Sequence, residues 1–361
     1  MNRFILHCDI DCFYAAIEAR DNLEYKGKPL VIGADPKEGK GRGVVLTCSY
    51  EARKYGIRSA TPISKAYKLC PDAIFLKPNF EKYIKASKEV MRTIISYSKE
   101  FQQGGLDEAY IDVSEICSNF DEVRTIAEKI KHEVIEKVGI TISIGCASTK
   151  SIAKIASDYN KPDGLTVVEP ENLTAFLKDL DITCISGIGK KTKLYFYDKG
   201  IRTIGDVIKI PLHKMIELFG KYGKWVWEVA QGLDNRPVKE FHQIKSISKE
   251  RTFYEDTDNY NSILSTFEQI CETLTKKTVK HDISYKTITL KIRFEGYQTY
   301  TRSKTFPYPI QDKFIVFATI LELFQKFSSV KKKIRLVGIK LSNFEKNPKV
   351  KQTTLLKYVN A

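Results

Sequence analysis

FILHCDIDCFY, at residues 4–14, decides the fold of the first part of the chain. Phe4 to Asp9 have the pattern of a buried strand. Asp11 then suits the N-cap of a helix, because Phe13 and Ala16 follow at helical spacing. The stretch therefore predicts a strand, a short turn and a helix, with a carboxylate where the strand ends.

A second acidic stretch, Asp107-Glu108, stands at the entry to another predicted strand, Ala109 to Val113. Strand ends that share one sheet can bring distant carboxylates together rigidly. Two-metal phosphoryl transfer needs several carboxylates that converge on metal ions roughly 3.5–4 Å apart. Mg²⁺ prefers hard oxygen ligands and keeps water or substrate phosphates on its other positions. Asp9, Asp107 and Glu108 are therefore candidate ligands of two Mg²⁺ ions.

Two further segments carry groups that suit a phosphate. SYEARKY, at residues 49–55, predicts a short helix with the Tyr50 phenol and the Arg53 guanidinium, and NKPDG, at 160–164, predicts a turn that carries Lys161. An arginine binds phosphate oxygens as a bidentate fork, whereas a lysine acts as a point charge. Together they indicate a triphosphate-binding site.

The wider pattern predicts several domains. Strand-like and helix-like segments alternate to about Val168, which indicates an α+β or α/β domain around a central sheet. Residues 169–232 have the pattern of short helices separated by glycine-centred turns, and a polar segment at 234–244 predicts a linker. The remainder predicts strand, helix, strand, strand, helix and strand, a βαββαβ order.

In the second strand of that last domain, apolar residues alternate with polar ones that include Lys291 and Arg293. One sheet face is then apolar and the other polar and basic. The basic face could lie against a nucleic-acid backbone, although a plain solvated face is the alternative. The tail, 345–361, is basic and is expected to be flexible.

The net charge of +15 is uneven, because residues 245–361 hold 22 Lys and Arg against 11 Asp and Glu and so carry +11 of it. A polyanionic partner is the expected cause; a solubility surface or an anionic membrane surface is the alternative. No apolar run reaches the ~18–20 residues of a membrane span. The eight cysteines form no CxxC pair. These features predict a cytoplasmic, monomeric protein with reduced thiols and no zinc site.

Four motifs resemble the signatures of Y-family (translesion) DNA polymerases of the bacterial polymerase IV and archaeal type. They are DIDCFY at 9–14, SYEARKYG at 49–56, LDEAYID at 106–112 and KPDG at 161–164. They follow the family's order, and the resemblance covers nearly the whole chain. It implies an α+β multidomain right-hand polymerase that copies a DNA template with low fidelity. The implied domains are a palm (1–10 and 77–166), fingers (11–76), a helical thumb (167–233) and a βαββαβ little finger (245–344).

The resemblance also implies roles for individual residues. Asp9, Asp107 and Glu108 would bind two Mg²⁺ ions, with the backbone carbonyl of Ile10 as a further ligand. Tyr14 matches the steric gate, which excludes a 2′-hydroxyl, and Phe13 lies beside it; core packing of the first helix is the alternative for both. Val44 falls where the family places a small residue over the nascent base pair. The dNTP triphosphate would contact Tyr50, Arg53, Lys161 and Thr47.

ISGIGKKT, at residues 185–192, resembles a helix-hairpin-helix DNA-binding turn. Gly187 and Gly189 would let backbone N–H groups approach a phosphate, and Lys190 and Lys191 would add charge. A tight turn between helices, without any DNA contact, is the alternative.

Gln352, Leu355 and Tyr358 in the tail have the Q-x-x-L-x-x-aromatic spacing of a peptide that docks on a sliding clamp. Val359 after Tyr358 departs from the usual aromatic pair. A bacterial-type clamp motif at the same glutamine and leucine is the alternative.

Two other functions compete with template-directed synthesis. GGLDE, at residues 104–108, superficially resembles the GG[D/E]EF signature of diguanylate cyclases, but the extra Leu106 and the motifs at 49–56 and 185–192 argue against a cyclase. A DNA- and clamp-binding scaffold with an inactive palm would lack metal carboxylates that this chain retains. The sequence contains no second acidic cluster that would indicate a proofreading exonuclease.

Overall fold

A computed structural model describes residues 3–240 and 244–346 of the chain. The chain divides into two compact units, Met1–Phe241 and His242–Ala361. The strands are β1 Ile5–Ile10, β2 Leu30–Gly33, β3 Val45–Cys48, β4 Ile74–Leu76, β5 Glu100–Gln103, β6 Glu108–Asp112, β7 Ile142–Ala147, β8 Leu165–Val168, β9 Ser246–Thr257, β10 Ile283–Phe294, β11 Thr299–Ile310 and β12 Ile334–Lys346. The α-helices are α1 Phe13–Asp21, α2 Tyr50–Lys54, α3 Ile63–Leu69, α4 Phe80–Ile95, α5 Phe120–Val138, α6 Lys150–Tyr159, α7 Leu173–Leu177, α8 Lys190–Asp198, α9 Ile204–Lys209, α10 Leu212–Ala230, α11 Tyr260–Lys280 and α12 Lys313–Gln325.

A five-stranded sheet in the order β5-β6-β1-β7-β8 is the centre of the first unit. Successive side chains of a strand point to opposite faces, so β1 serves two surfaces. Leu6, Cys8 and Ile10 enter the core that is shared with α4 and α5. Ile5 packs in a separate core with residues of α6. By the same alternation His7 and Asp9 face the α6 side of the sheet.

A second, three-stranded sheet in the order β3-β2-β4 holds α2 in place. Ser49 caps α2, because its hydroxyl accepts a hydrogen bond from the backbone N–H of Ala52 at 3.4 Å. Ala52 and Ile57 are fully buried in the small core beneath this sheet. The helix therefore presents Tyr50 and Arg53 from a fixed base.

Helices α7 to α10 form the last part of the first unit. Gly220 interrupts α10 with a φ of 61°, a left-handed conformation that glycine adopts without a Cβ penalty. Residues 234–238, in the predicted linker, form no helix or strand and pack on the rest of the first unit. Val238 is buried in the core with α6, and Asp234 accepts hydrogen bonds from Ser151 and Arg236. Their polar composition hid these contacts, which residues distant in sequence supply.

The second unit has the predicted βαββαβ order, and its antiparallel sheet runs β11-β10-β12-β9. Ile288, Leu290 and Ile292 of β10 are fully buried in a core that includes residues of α11 and α12. On the opposite face, Lys291 lies 2.8 Å from Glu250, and Arg293 donates to the Thr299 hydroxyl at 2.9 Å. The basic face is thus partly neutralised within the sheet.

Asp11 was predicted to cap α1, and this was wrong. Cys12 occupies the N-cap position with a φ of 39°, and no side chain caps the helix. Asp11 instead turns inward and is 2% exposed. The short strands β2, β4, β5 and β8 had no counterpart in the sequence patterns, because three- or four-residue strands show too little alternation to be distinguished. Within the described residues, every helix is too short or too polar to cross a membrane.

Candidate active site

Three acidic side chains come together at one edge of the five-stranded sheet. Asp9, near the end of β1, is paired in register with Glu108, the first residue of β6. Asp107 is tied to the same place, because its carbonyl accepts the Ile10 N–H at 2.8 Å. Asp9, Glu108 and His7 each offer a ligand atom within 4.8 Å of the others. A sheet edge of this kind can hold a cation between residues that are about a hundred positions apart.

Two lysines already supply positive charge to these carboxylates. Lys154 of α6 places its Nζ 2.6 Å from Glu108 Oε2 and 3.7 Å from Asp9 Oδ2. Lys161, in the turn after α6, lies 2.6 Å from Asp9 Oδ1 and 2.8 Å from Asp158. Burial lowers the pKa of each ammonium, but the adjacent carboxylates outweigh it and the pKa of both lysines is raised. The lysines therefore stay protonated and balance part of the negative charge.

The acidic groups differ in pKa because their neighbours differ. The His7 imidazole, 3.4 Å away, and then the Lys154 ammonium hold the pKa of Glu108 at about 2. Desolvation, and then the negative charge of Asp9, raise the pKa of Asp107. A bound cation would therefore favour the ionised form of Asp107, because its positive charge would offset the desolvation and the repulsion from Asp9.

His7 lies beneath the carboxylates and is fully buried. His7 Nδ1 lies 2.7 Å from Ser157 Oγ and accepts a hydrogen bond from that hydroxyl when the neutral ring carries its proton on Nε2, which lies 3.4 Å from Glu108 Oε2. That contact directs the other ring nitrogen, Nε2, toward Glu108. Burial lowers the pKa of His7. The ring orients Glu108 from below rather than facing the cleft.

An open cleft of about 310 Å³ lies above the carboxylates. This is within the volume range of small-molecule sites, ~300–1,000 Å³. Nine of the residues predicted from the sequence line it, which are Asp9, Ile10, Phe13, Tyr14, Thr47, Tyr50, Arg53, Asp107 and Lys161. Glu108 contacts Lys154 just beside it. The structure therefore brings the predicted triphosphate residues, and every predicted metal ligand except Glu108, to a single cleft.

Tyr14 is held in the cleft by other aromatic rings. Its ring stacks on Tyr83 of α4 with centroids 4.4 Å apart and planes 13° apart. Phe80 meets it edge-on at 5.9 Å. Tyr83 is itself fully buried, and its hydroxyl donates to Glu18 at 2.7 Å. The Tyr14 ring thus has a rigid backing on one side and open space on the other.

On the facing side of the cleft, α2 contributes Tyr50 and Arg53. The Arg53 guanidinium lies over the Tyr50 ring, 4.4 Å from its centroid, which favours a cation–π contact. Tyr50 OH donates to Asp11 at 3.3 Å. Lys161 completes the set from the sheet side. A phenol, a guanidinium and an ammonium thus surround one space.

The other predicted residues lie elsewhere. Gly187 and Gly189 precede α8, whose first residues, Lys190 and Lys191, are exposed. Lys291 and Arg293 belong to the second unit. Val44 bridges to Pro62 and does not line the cleft. The predicted clamp-binding residues lie outside the described part of the chain and are Gln352, Leu355 and Tyr358.

Some cleft residues had no prediction. Leu46 and Ser59 line the cleft, and no sequence pattern distinguishes them from other residues of the region. His7 could have been found, because it stands two residues before Asp9 on a strand and so shares its face. Lys154 could also have been found, since it lies on α6, the helix that leads into the turn carrying Lys161.

Comparison with known proteins gives consistent results over nearly the whole chain. Sequence models of the impB/mucB/samB family and of its C-terminal domain match residues 8–158 and 244–355. The chain is 42% identical over 337 residues to DNA polymerase IV 2 of Methanosarcina mazei, covering 93% of this chain and 91% of that protein. It is 40% identical over 346 residues to DNA polymerase IV of Clostridium perfringens, covering 96% of each.

Solved structures agree with the sequence comparison. A chimera of the Y-family DNA polymerases Dbh and Dpo4 is similar with a TM-score of 0.84 at 29% identity, over 95% of this chain and all of the chimera. DinB from Sulfolobus solfataricus is similar with a TM-score of 0.61 at 28% identity, over 95% of this chain and all of that protein. The fold is therefore that of a multidomain α+β polymerase.

The chain belongs to the impB/mucB/samB family, the Y-family of translesion DNA polymerases. It is a DNA-directed DNA polymerase, of a metal-dependent family whose members use a two-metal mechanism and have no proofreading activity. The sequence-based identification of the family, the fold and the activity is confirmed. The roles of individual residues stay predictions.

Proposed function

We propose that this polymerase extends a primer on a DNA template with Asp9, Asp107 and Glu108 as ligands of two Mg²⁺ ions, and with the Ile10 carbonyl as a further ligand. The observation that carries the proposal is the position of Asp9, which lines the cleft together with Asp107 and has a carboxylate oxygen within 4.8 Å of one of Glu108. When bound, such ions lower the pKa of the attacking 3′-hydroxyl and neutralise charge on the triphosphate and the leaving pyrophosphate. The domain division into palm, fingers, thumb and little finger is part of the proposal.

The predicted ligands fit Mg²⁺ because Asp9 and Asp107, which line the cleft, and Glu108 beside it all offer hard oxygen donors. The raised pKa of Asp107, which desolvation and the charge of Asp9 cause, indicates negative charge that a cation would relieve. Lys154 and Lys161 supply part of that positive charge. Cytoplasmic location and a monomeric state belong to the same proposal; the eight free cysteines support a reducing compartment.

Lys161, Arg53, Tyr50 and Thr47 bind the triphosphate of the incoming dNTP in this proposal. Arg53 and Lys161 approach the cleft from opposite sides, so a chain of phosphates between them would meet a cation on each side. Tyr14, with Phe13 beside it, lies under the sugar. Its ring cannot retreat because Tyr83 stacks behind it at 4.4 Å.

Primer-template DNA binds at the start of α8 and on the polar face of the second unit's sheet in this proposal. Two exposed lysines, Lys190 and Lys191, stand in the first turn of α8, where the helix dipole disfavours positive charge. A phosphate at that helix start would reverse the penalty, because Gly187 and Gly189 leave the backbone N–H groups accessible. Lys291 and Arg293 would contact the DNA backbone.

Primer extension on an undamaged template and on one with an abasic site tests this function. With Mg²⁺ and dNTPs, we expect extension on both templates. A chelator should abolish extension on both, because no side chain of the cleft can replace the two metal ions. Products are read on a denaturing gel. Incubation with GTP alone is the matched control: a cyclic dinucleotide product, without primer extension, would favour the cyclase instead.

Gln352→Ala should weaken clamp-stimulated synthesis and leave clamp-free synthesis unchanged, if the tail docks on a sliding clamp. Thr353→Ala, at a variable position of the same motif, is the matched control. Extension is measured with and without a loaded clamp of bacterial or archaeal type. Undiminished clamp binding by the Gln352 variant would remove the motif from the proposal.

A further inference from the structure

Asp11 is a buried carboxylate to which the proposed function gives no role. Its side chain is 2% exposed. Its two oxygens nevertheless accept hydrogen bonds from neutral donors on every side. These are Ser143 Oγ at 2.8 Å and Tyr50 OH at 3.3 Å to Oδ1, and Thr141 Oγ1 at 2.9 Å and the Asp163 N–H at 2.8 Å to Oδ2.

The donors are distributed over the fold in a regular way. Oδ1 joins Ser143 of β7 to Tyr50 of α2, and Oδ2 joins Thr141, just before β7, to the backbone of Asp163 in the turn after α6. Each oxygen thus connects the five-stranded sheet to one arm of the cleft. One arm is the helix that carries Tyr50 and Arg53, and the other is the turn that carries Lys161.

The two arms are held to different degrees. A buried carboxylate is stable only when hydrogen bonds saturate it, so the network is not incidental. The Asp163 N–H faces no competitor, and Ser143 also accepts the Gly164 N–H at 3.2 Å, so the Lys161 turn is anchored twice. Tyr50 has one phenolic hydrogen and cannot donate it to Asp11 and to a phosphate together. The hydrogen bond from Tyr50 to Asp11 therefore holds α2 only until the phenol donates to a phosphate instead.

We propose that Asp11 is a positioning residue for the triphosphate clamp, which fixes the Lys161 turn and α2 at the separation at which their cationic groups meet one chain of phosphates. This inference rests on the proposed function of Lys161, Arg53 and Tyr50. Ligands that are ordered in advance bind more tightly, because the ordering entropy is not lost on binding. The effect therefore falls on dNTP affinity rather than on DNA affinity.

Asp11→Asn in the full chain tests the proposal. The neutral amide keeps its oxygen toward the Asp163 N–H and turns its NH₂ group toward Ser143 and Tyr50, whose hydroxyls must then accept instead of donate. The hydrogen bonds to both arms therefore lose the negative charge that strengthens them. We expect the KM for dNTP to rise about tenfold, with kcat changed less than about threefold and the Kd for primer-template DNA less than about twofold. In a Lys161→Ala, Tyr50→Phe background the same change should raise KM less than about twofold, because Tyr50→Phe already removes the hydrogen bond from α2 to Asp11 and Lys161→Ala removes the cation of the other arm.

Two further variants keep the test decisive. Thr141→Val removes one hydroxyl donor and leaves the carboxylate, so it should raise KM about threefold even if Asp11→Asn does not fold. Asp181→Asn is the matched control, because that carboxylate also accepts from a backbone N–H and a hydroxyl of Thr183 and from the Tyr197 phenol, yet it does not line the cleft. Its KM for dNTP should stay unchanged.

A merely structural Asp11 would lower kcat and the melting temperature with KM unchanged, or raise KM equally in both backgrounds; either result overturns the proposal. If the Lys161→Ala, Tyr50→Phe variant itself keeps the wild-type KM, the triphosphate assignment fails and the Asp11 role falls with it. If that variant raises KM but Asp11→Asn and Thr141→Val do not, only the Asp11 role is overturned.

Discussion

Replacing Asp107 by alanine is expected to abolish primer extension while primer-template binding survives. The variant removes a carboxylate that lines the cleft with Asp9 and whose pKa is raised by desolvation and by that neighbour. Without it, one cation loses a ligand and kcat should fall by at least about a thousandfold. Single-turnover extension with Mg²⁺ measures the loss, and fluorescence anisotropy measures DNA binding.

Asp112→Asn is the matched control for that experiment. It stands at the far end of β6, the strand that Asp107 directly precedes, and its carboxylate contacts Ser114 and Arg3 and does not line the cleft. It should keep most of the wild-type rate. Equal activity of the Asp107 variant and this control would refute the assignment of the metal ligands.

Tyr14→Ala should admit ribonucleotides. The wild-type ring is clamped against Tyr83 and Phe80, so it cannot move aside for a 2′-hydroxyl. Removing the ring opens that space, and discrimination between dNTP and rNTP should fall by about two orders of magnitude, mainly through faster rNTP insertion. The ratio of kcat/KM for the two nucleotides measures it.

Tyr14→Phe separates the ring from its hydroxyl. Phenylalanine keeps the aromatic bulk and the stack on Tyr83, so discrimination should remain close to that of the wild type. If Tyr14→Ala left the ratio unchanged, the tyrosine would have no gating role, and its place in the aromatic cluster would reflect packing alone.

Much of the fold could be predicted because it depends on local patterns. The apolar residues of α5 recur at helical spacing, and Val123, Ala127 and Val134 among them are fully buried. The βαββαβ order of the second unit followed from alternation and helical spacing in the same way. The short strands β2, β4, β5 and β8 were missed, because their hydrogen bonds to neighbouring strands rather than their own sequence define them.

The site could be predicted where motifs are contiguous and not where contacts are long-range. Asp9, Tyr14 and Lys161 were found because each lies in a recognisable run. Asp11 had the local appearance of an N-cap, but its donors come from residues 39 to 152 positions away. Nothing in a short window separates a capping aspartate from one that the tertiary structure turns inward.

The ammonium groups of Lys154 and Lys161 have a consequence for the protein between rounds of synthesis. Acidic groups that were neutralised only by bound metal ions would repel one another whenever those ions dissociated. In this protein the ammonium groups act as counter-ions, because Lys154 lies 2.6 Å from Glu108 and Lys161 lies 2.6 Å from Asp9. The carboxylates can therefore stay close together without a bound metal ion, and removing the metal should stop synthesis without unfolding the site.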